Sequence, residues 1–106
     1  MTRSNTELAR DALEHFAVLH RHLERADLAD ETVADAVSMR LAAAIEALSR
    51  TGESFRTRVL GSEWRVMWAT RNRIAHGYAY IDLEMIRSTV EHDVPEVERR
   101  LRAEIA

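Results

Sequence analysis

A chain of 106 residues has the length of one domain. Residues 1–106 are read as a single helical domain, which by its size buries only about two-thirds of its unfolded surface, so that pairing with a second copy would add apolar burial. Its 46% hydrophobic and 31% charged content excludes a disordered tail and a membrane span, and a net charge of −3 argues against a simple nucleic-acid coat.

Ser4-Asn5-Thr6-Glu7 reads as a capping box, with Ser4 as N-cap and Glu7 reaching back. It opens a helix to about Ala26, in which Leu8, Ala12, Phe16, Leu19 and Leu23 form one apolar stripe. Asp27 to Asp30 reads as a turn, and Asp30 caps a second helix to about Arg50 with Val33, Val37, Leu41, Ala44, Ile45 and Leu48 on its inner side. Gly52 is expected as a left-handed C-cap, and Glu53 to Gly61 is open between a short helix and a loop. Ser62 is expected to cap a third long helix through about Ala75, with Trp64, Met67, Trp68 and Ile74 as its apolar contacts and Gly77 at its end. Asp82 caps a helix containing Leu83, Ile86 and Val90. Asp93-Val94-Pro95-Glu96 is expected to restart a last helix, with Asp93 as cap, Pro95 in the first turn and Val97, Leu101 and Ile105 inside. The sum is an all-α fold, an antiparallel four- or five-helix bundle.

Three Gly and one Pro leave little material for turns, and the absence of Cys excludes disulfides and thiolate metal sites. Met1 is followed by polar residues, without an apolar signal segment, and no run approaches the roughly 18 apolar residues of a membrane span. A cytoplasmic protein with no membrane partner is therefore expected. All 15 basic residues are Arg. Arg50, Arg56, Arg58, Arg65, Arg71 and Arg73 are opposed over their stretch only by Glu53 and Glu63, a clustering that favours phosphate.

Residues 71 to 80 place Arg, Asn, Arg, His and two Tyr at a helix end. Phosphoester chemistry on RNA needs such parts. A base of near-neutral pKa removes the ribose 2′-hydroxyl proton, and a fixed cation with paired donors neutralises charge growing on the phosphate. Asn72 and His76 are four apart and share a helical face, where Asn72 can orient the imidazole; Arg73 lies near that face. Arg71 is harder to place, because five residues at about 100° each put it roughly 140° from His76. Either its side chain curls round the helix, or the helix unwinds near Gly77, or the pair is assembled across two chains.

Arg71-x4-His76-x-Tyr78 resembles the Arg-x4-His-x-Tyr motif of HepT proteins in the HEPN superfamily. The flanks resemble it too: Trp64-Arg65-Val66-Met67-Trp68 before the motif, Ile81-Asp82-Leu83-Glu84 and Asp93-Val94-Pro95-Glu96 after it. The similarity covers roughly residues 30 to 100 and is strongest from Ser62 to Val97. It implies a HEPN-like helical homodimer whose motif helices face each other across a cleft, and a metal-independent endoribonuclease without cofactor, the toxin of a type VII toxin–antitoxin pair. By that resemblance His76 is general base or acid, Arg71 stabilises the phosphate, and Asn72 matches the polar residue following the Arg. Tyr78 matches the tyrosine that a partner nucleotidyltransferase of the MntA type modifies with AMP. An alternative within the same resemblance is a non-catalytic binding subunit, or an antitoxin, for a minimal nucleotidyltransferase.

Plainer readings stand beside these. Arg71 and Arg73 also suit a helix C-terminus, where cations favour the dipole by about 0.3–1 kcal/mol, and Asn72 also reads as an ordinary exposed residue. Arg73 is the further candidate for an RNA phosphate contact. Trp64 and Trp68 read as core or dimer interface rather than base-stacking platforms, and Tyr80 as a packing residue. His15, His20 and His22 read as a solvated face, not a metal cluster; His92 reads as part of a turn, and Arg56 with Arg58 as a solvated loop.

Overall fold

The computed structural model describes residues 3–77 and 82–106. Among these, all regular structure is helical: α1 (Asn5–Arg25), α2 (Glu31–Ser49), α3 (Glu53–Val59), α4 (Glu63–Gly77), α5 (Leu83–Ser88), a π-helical turn (Thr89–Asp93) and α6 (Val94–Ile105). No described helix is long and apolar enough to cross a membrane.

The helix starts follow from local chemistry. The Glu7 N–H donates to Ser4 Oγ at 3.1 Å while Glu7 Oε1 accepts from the Ser4 N–H at 3.4 Å, which satisfies two otherwise orphaned donors. Asp30 Oδ1 accepts from the Val33 N–H at 3.0 Å to cap α2, and Asp82 Oδ1 accepts from the Met85 N–H at 3.1 Å to cap α5. Between α1 and α2, Asp27 Oδ1 accepts from the Ala29 N–H at 2.8 Å and folds the chain back, so the two helices pack as a hairpin. The apolar stripes meet in one core, with Phe16, Leu19, Val37, Leu41, Ile45, Leu48, Met67 and Leu101 fully buried. Truncating a core aromatic such as Phe16 to Ala typically costs about 3–5 kcal/mol.

Two expectations about turns are corrected. Gly52 is not a left-handed cap: at φ −66°, ψ 149° it is the extended N-cap of α3, because a new helix restarts at once. The left-handed glycine is Gly61, at φ 57°, in the turn between α3 and α4. There Arg100 of α6 donates from Nη1 to the Leu60 carbonyl at 2.9 Å and pairs with Glu63 at 3.4 Å and Glu96 at 2.9 Å.

The second correction concerns Asp93. It caps nothing; its backbone is helical (φ −86°, ψ −42°), and α5 runs through the π turn into α6 without a break. The reason lies in Pro95, whose ring conflicts with the carbonyl four residues earlier and which has no N–H to give it. Just ahead of it the helix widens, and the Val94 N–H bonds five residues back to the Thr89 carbonyl.

Two surface readings also change. Arg56 and Arg58 lie on α3 rather than in a loop. Arg56 donates to the Ser49 carbonyl at 3.0 Å and to the Thr51 carbonyl, serving the free carbonyls at the end of α2, and Arg58 pairs with Glu104 at 2.6 Å. His20 is more than a solvated residue: its Nε2 lies 3.0 and 3.1 Å from the two carboxylate oxygens of the buried Glu98, tying α1 to α6, while His15 Nδ1 lies 3.1 Å from Arg40 Nη1 on α2.

Candidate functional site

The rotation of α4 decides which of its residues can work. Met67 and Thr70 are fully buried, and Ile74 packs partly against the core. Thr70 is the polar anchor among them. Its hydroxyl donates to the Val66 carbonyl at 2.9 Å and lies 2.9 Å from the hydroxyl of Thr89, itself buried in the π turn. With this side turned inward, Ala69, Arg73 and His76 face outward and are exposed, and Asn72 is half-buried at the edge.

Ala69, Asn72, Arg73, His76 and Gly77 line one concavity of about 650 Å³. Their spacing (three, four, seven and eight after Ala69) is that of one helical face. Asn72, Arg73 and His76, three of the residues singled out in the sequence, are thus brought together. The Arg73 guanidinium lies 4.0 Å from Asp82, whose other carboxylate oxygen caps α5. This pair links the end of α4 to the start of α5. Tyr78, Tyr80 and Ile81 lie outside the described residues.

Arg71 is not among the lining residues. It points toward α2, where Nη2 lies 2.9 Å from Glu46 Oε2 and the guanidinium sits 4.9 Å from the centre of the Trp68 ring. Its Nη1 donates to Asn72 Oδ1 at 3.1 Å. Neither of the two ways of joining Arg71 to His76 within one chain is seen: the side chain does not curl round α4, and α4 stays helical through Gly77.

Trp68 in turn stacks on Trp64, with centroids 5.6 Å apart and planes at 29°, and Arg56 lies 5.5 Å from the Trp64 centroid. The indoles are occupied by each other, by guanidinium groups and by the core, which supports the packing reading over base stacking. Glu46 and the Thr70–Thr89 pair are participants that sequence reasoning did not find. The only signal for Glu46 was its place on the polar margin of an otherwise apolar α2.

Among the described residues no three His, Asp or Glu side chains are grouped so as to hold a metal ion. What the outward face of α4 offers is an exposed imidazole, a guanidinium and an amide within one open hollow, groups that can attract an anion and move a proton.

An all-helical bundle with this polar helix end is the HEPN kind of domain. A family model described as HepT-like, ribonuclease HepT-like, matches residues 7–104, nearly the whole chain, and the protein belongs to that family. Searches of curated proteins and of solved structures gave no match.

Proposed function

We propose that this protein is the toxin of a type VII toxin–antitoxin pair, an endoribonuclease that works as a homodimer and is silenced when an MntA-like nucleotidyltransferase transfers AMP to Tyr78. The observation that carries this reading is the single face of α4 on which Asn72, Arg73 and His76 share a hollow, in a chain that matches the ribonuclease family almost end to end. His76 takes the proton of a ribose 2′-hydroxyl. The O2′–P bond forms, the P–O5′ bond breaks, and the departing O5′ takes up a proton, leaving a 2′,3′-cyclic phosphate. Arg71 and Arg73 offset charge on the phosphate. Because Arg71 is turned to the α2 side of its own helix, its partner in this chemistry is the His76 of a second copy. AMP on Tyr78, two residues beyond His76, adds bulk and negative charge where RNA phosphate has to sit.

The test is RNA cleavage in EDTA by purified protein whose intact mass shows it unmodified, beside His76→Ala. Cleavage leaving 2′,3′-cyclic ends, lost in the variant, is expected. His76 is exposed, so the substitution should change stability by no more than about 0.5 kcal/mol.

A second reading is favoured by the ion pair of Arg71 with Glu46, which turns the guanidinium toward α2 and away from His76 of its own chain. In it the chain is a non-catalytic partner or antitoxin of the nucleotidyltransferase, and the motif is a docking and modification site. No cleavage by unmodified wild type under any condition, together with a stable complex with the nucleotidyltransferase, would select it.

A further inference from the structure

Glu46 stands outside every motif of the sequence, yet it meets the one motif arginine that faces away from the hollow. Its Oε2 is buried without a well-aligned hydrogen bond, and the Arg71 Nη2 lies 2.9 Å away. The two observations agree once charge and direction are separated: the guanidinium compensates the carboxylate by proximity, not by an ideal donor line. Opposite charges this close in a partly buried setting hold each other more firmly than exposed pairs do. The Trp68 ring adds a flat support beneath the same guanidinium.

The consequence passes to Asn72. A guanidinium only donates, so an amide in contact with it must present its oxygen. Arg71 Nη1 lies 3.1 Å from Asn72 Oδ1, which commits the Oδ1 to Arg71 and leaves the Nδ2 donors free for the hollow that Asn72 shares with His76. With Arg71 loose, the amide would lose the contact that fixes its orientation.

We infer that Glu46 is a positioning residue for this site: with Trp68 it fixes Arg71, and through Arg71 it turns the Asn72 amide so that two N–H donors face the phosphate. This rests on the ribonuclease reading above. Glu46 touches neither substrate nor reacting atoms, and its effect travels along Glu46, Arg71 and Asn72.

The experiment compares wild type with Glu46→Ala, Glu46→Gln and Glu46→Asp in two measurements on the full chain. One is the NMR order of the Arg71 side-chain Nε–H; the other is kcat and KM for RNA cleavage, with thermal melts as the check on folding. Wild type should show a restrained Arg71 signal that becomes mobile in Glu46→Ala. In the same variant kcat should fall about 10- to 100-fold, as for a displaced catalytic group, with a smaller change in KM. Glu46→Gln, which keeps an acceptor oxygen, should recover part of both. An Arg71 signal as restrained in Glu46→Ala as in wild type overturns the inference whatever the activity. So does a mobile Arg71 with unchanged kcat. Absence of cleavage by wild type overturns the ribonuclease reading and reduces Glu46 to a structural anchor, whereas normal wild-type cleavage with an indifferent Glu46→Ala overturns the positioning role alone.

Discussion

The hydroxyls of Thr70 and Thr89 meet at 2.9 Å inside the bundle, one on α4 and the other in the π turn. Both residues are essentially without solvent exposure, so neither hydroxyl can turn to water instead. The pair fixes how far α4 is rotated against the last helical rod, and that rotation puts His76 outside and Arg71 against α2.

Thr70→Val should therefore cost about 1–3 kcal/mol, the penalty for leaving the Thr89 hydroxyl buried and unpartnered. The double variant Thr70→Val/Thr89→Val should be less harmful than the two single effects added together, since both polar groups are then gone. Urea unfolding of the four proteins closes the cycle. Simple additivity would show that the hydroxyls do not work as a pair.

If Arg71 of one chain serves His76 of another, two inactive proteins should rescue each other. Mixing Arg71→Ala with His76→Ala chains and allowing exchange gives mixed dimers in which one site regains both an Arg71 and a His76 and the other has neither, although the Asn72 of the regained site lacks the Arg71 of its own chain. Random pairing then restores up to about a quarter of wild-type cleavage, the ceiling set by the statistics of a two-fold dimer. No recovery after demonstrated exchange would place the working pair within a single chain.

Gly61 and Gly52 should respond in opposite ways. Gly61→Ala forces a side chain into the left-handed region and should cost about 1–2 kcal/mol, although the nearest atom to the added methyl, Arg100 Nη1, is 3.6 Å away. Gly52→Ser places a capping side chain at an extended N-cap that lacks one, and should be neutral or stabilising. Chemical denaturation of both variants checks the contrast.

Two carboxylates give opposite pH signatures. Burial, with Glu63 nearby, raises the Asp93 carboxyl above its ordinary value of 3.8, against a small opposing effect of His92. A raised folded-state pKa means stability that is present below the unfolded value and lost as pH rises through the folded one. Asp93→Asn should thus raise the melting temperature at pH 7 and lose that advantage below the ordinary value. Glu96 is the reverse: hydrogen bonds from Arg99 and then Arg100 lower it from 4.5 to about 2. Its contribution is present above 4.5 and disappears as pH falls toward 2, so Glu96→Gln should differ from wild type at pH 6 and converge with it in strong acid. A gain from Asp93→Asn that persists at pH 3 would point to a cause other than titration.

What could be read in the sequence was what is settled within a few residues. Ser4, Asp30 and Asp82 cap helices because a short acceptor side chain beside free N–H groups needs no tertiary help. The inner stripes of α1 and α2 follow from spacing alone. Gly52 is misread because a glycine after a helix has the same local chemistry whether the chain turns left-handed or starts a new helix at once. Asp93 looked like a cap because Asp before Pro is a common helix start, and only packing on both sides of the π turn keeps the rod continuous. In the site, the face shared by Asn72, Arg73 and His76 was legible from helical arithmetic. The engagement of Arg71 with Glu46 was not, since it depends on how α2 lies along α4.

The π turn at Thr89–Asp93 also sets where the chain can change length. A turn closed five residues back contains one residue more than an ordinary helical turn. Ile86, Val90 and Val94 step inward at intervals of four, drifting about 40° at each step in a regular helix, and the wide turn takes up that drift before Val97 and Leu101. Removing one residue from this turn would restore ordinary winding and keep the inner residues on both sides in phase. That holds only if Pro95 is replaced as well, because its ring would otherwise press on the carbonyl of a tightened turn. Length and proline are thus linked here: a helix both one residue shorter and without its proline is compatible with the same core, while shortening alone strains it.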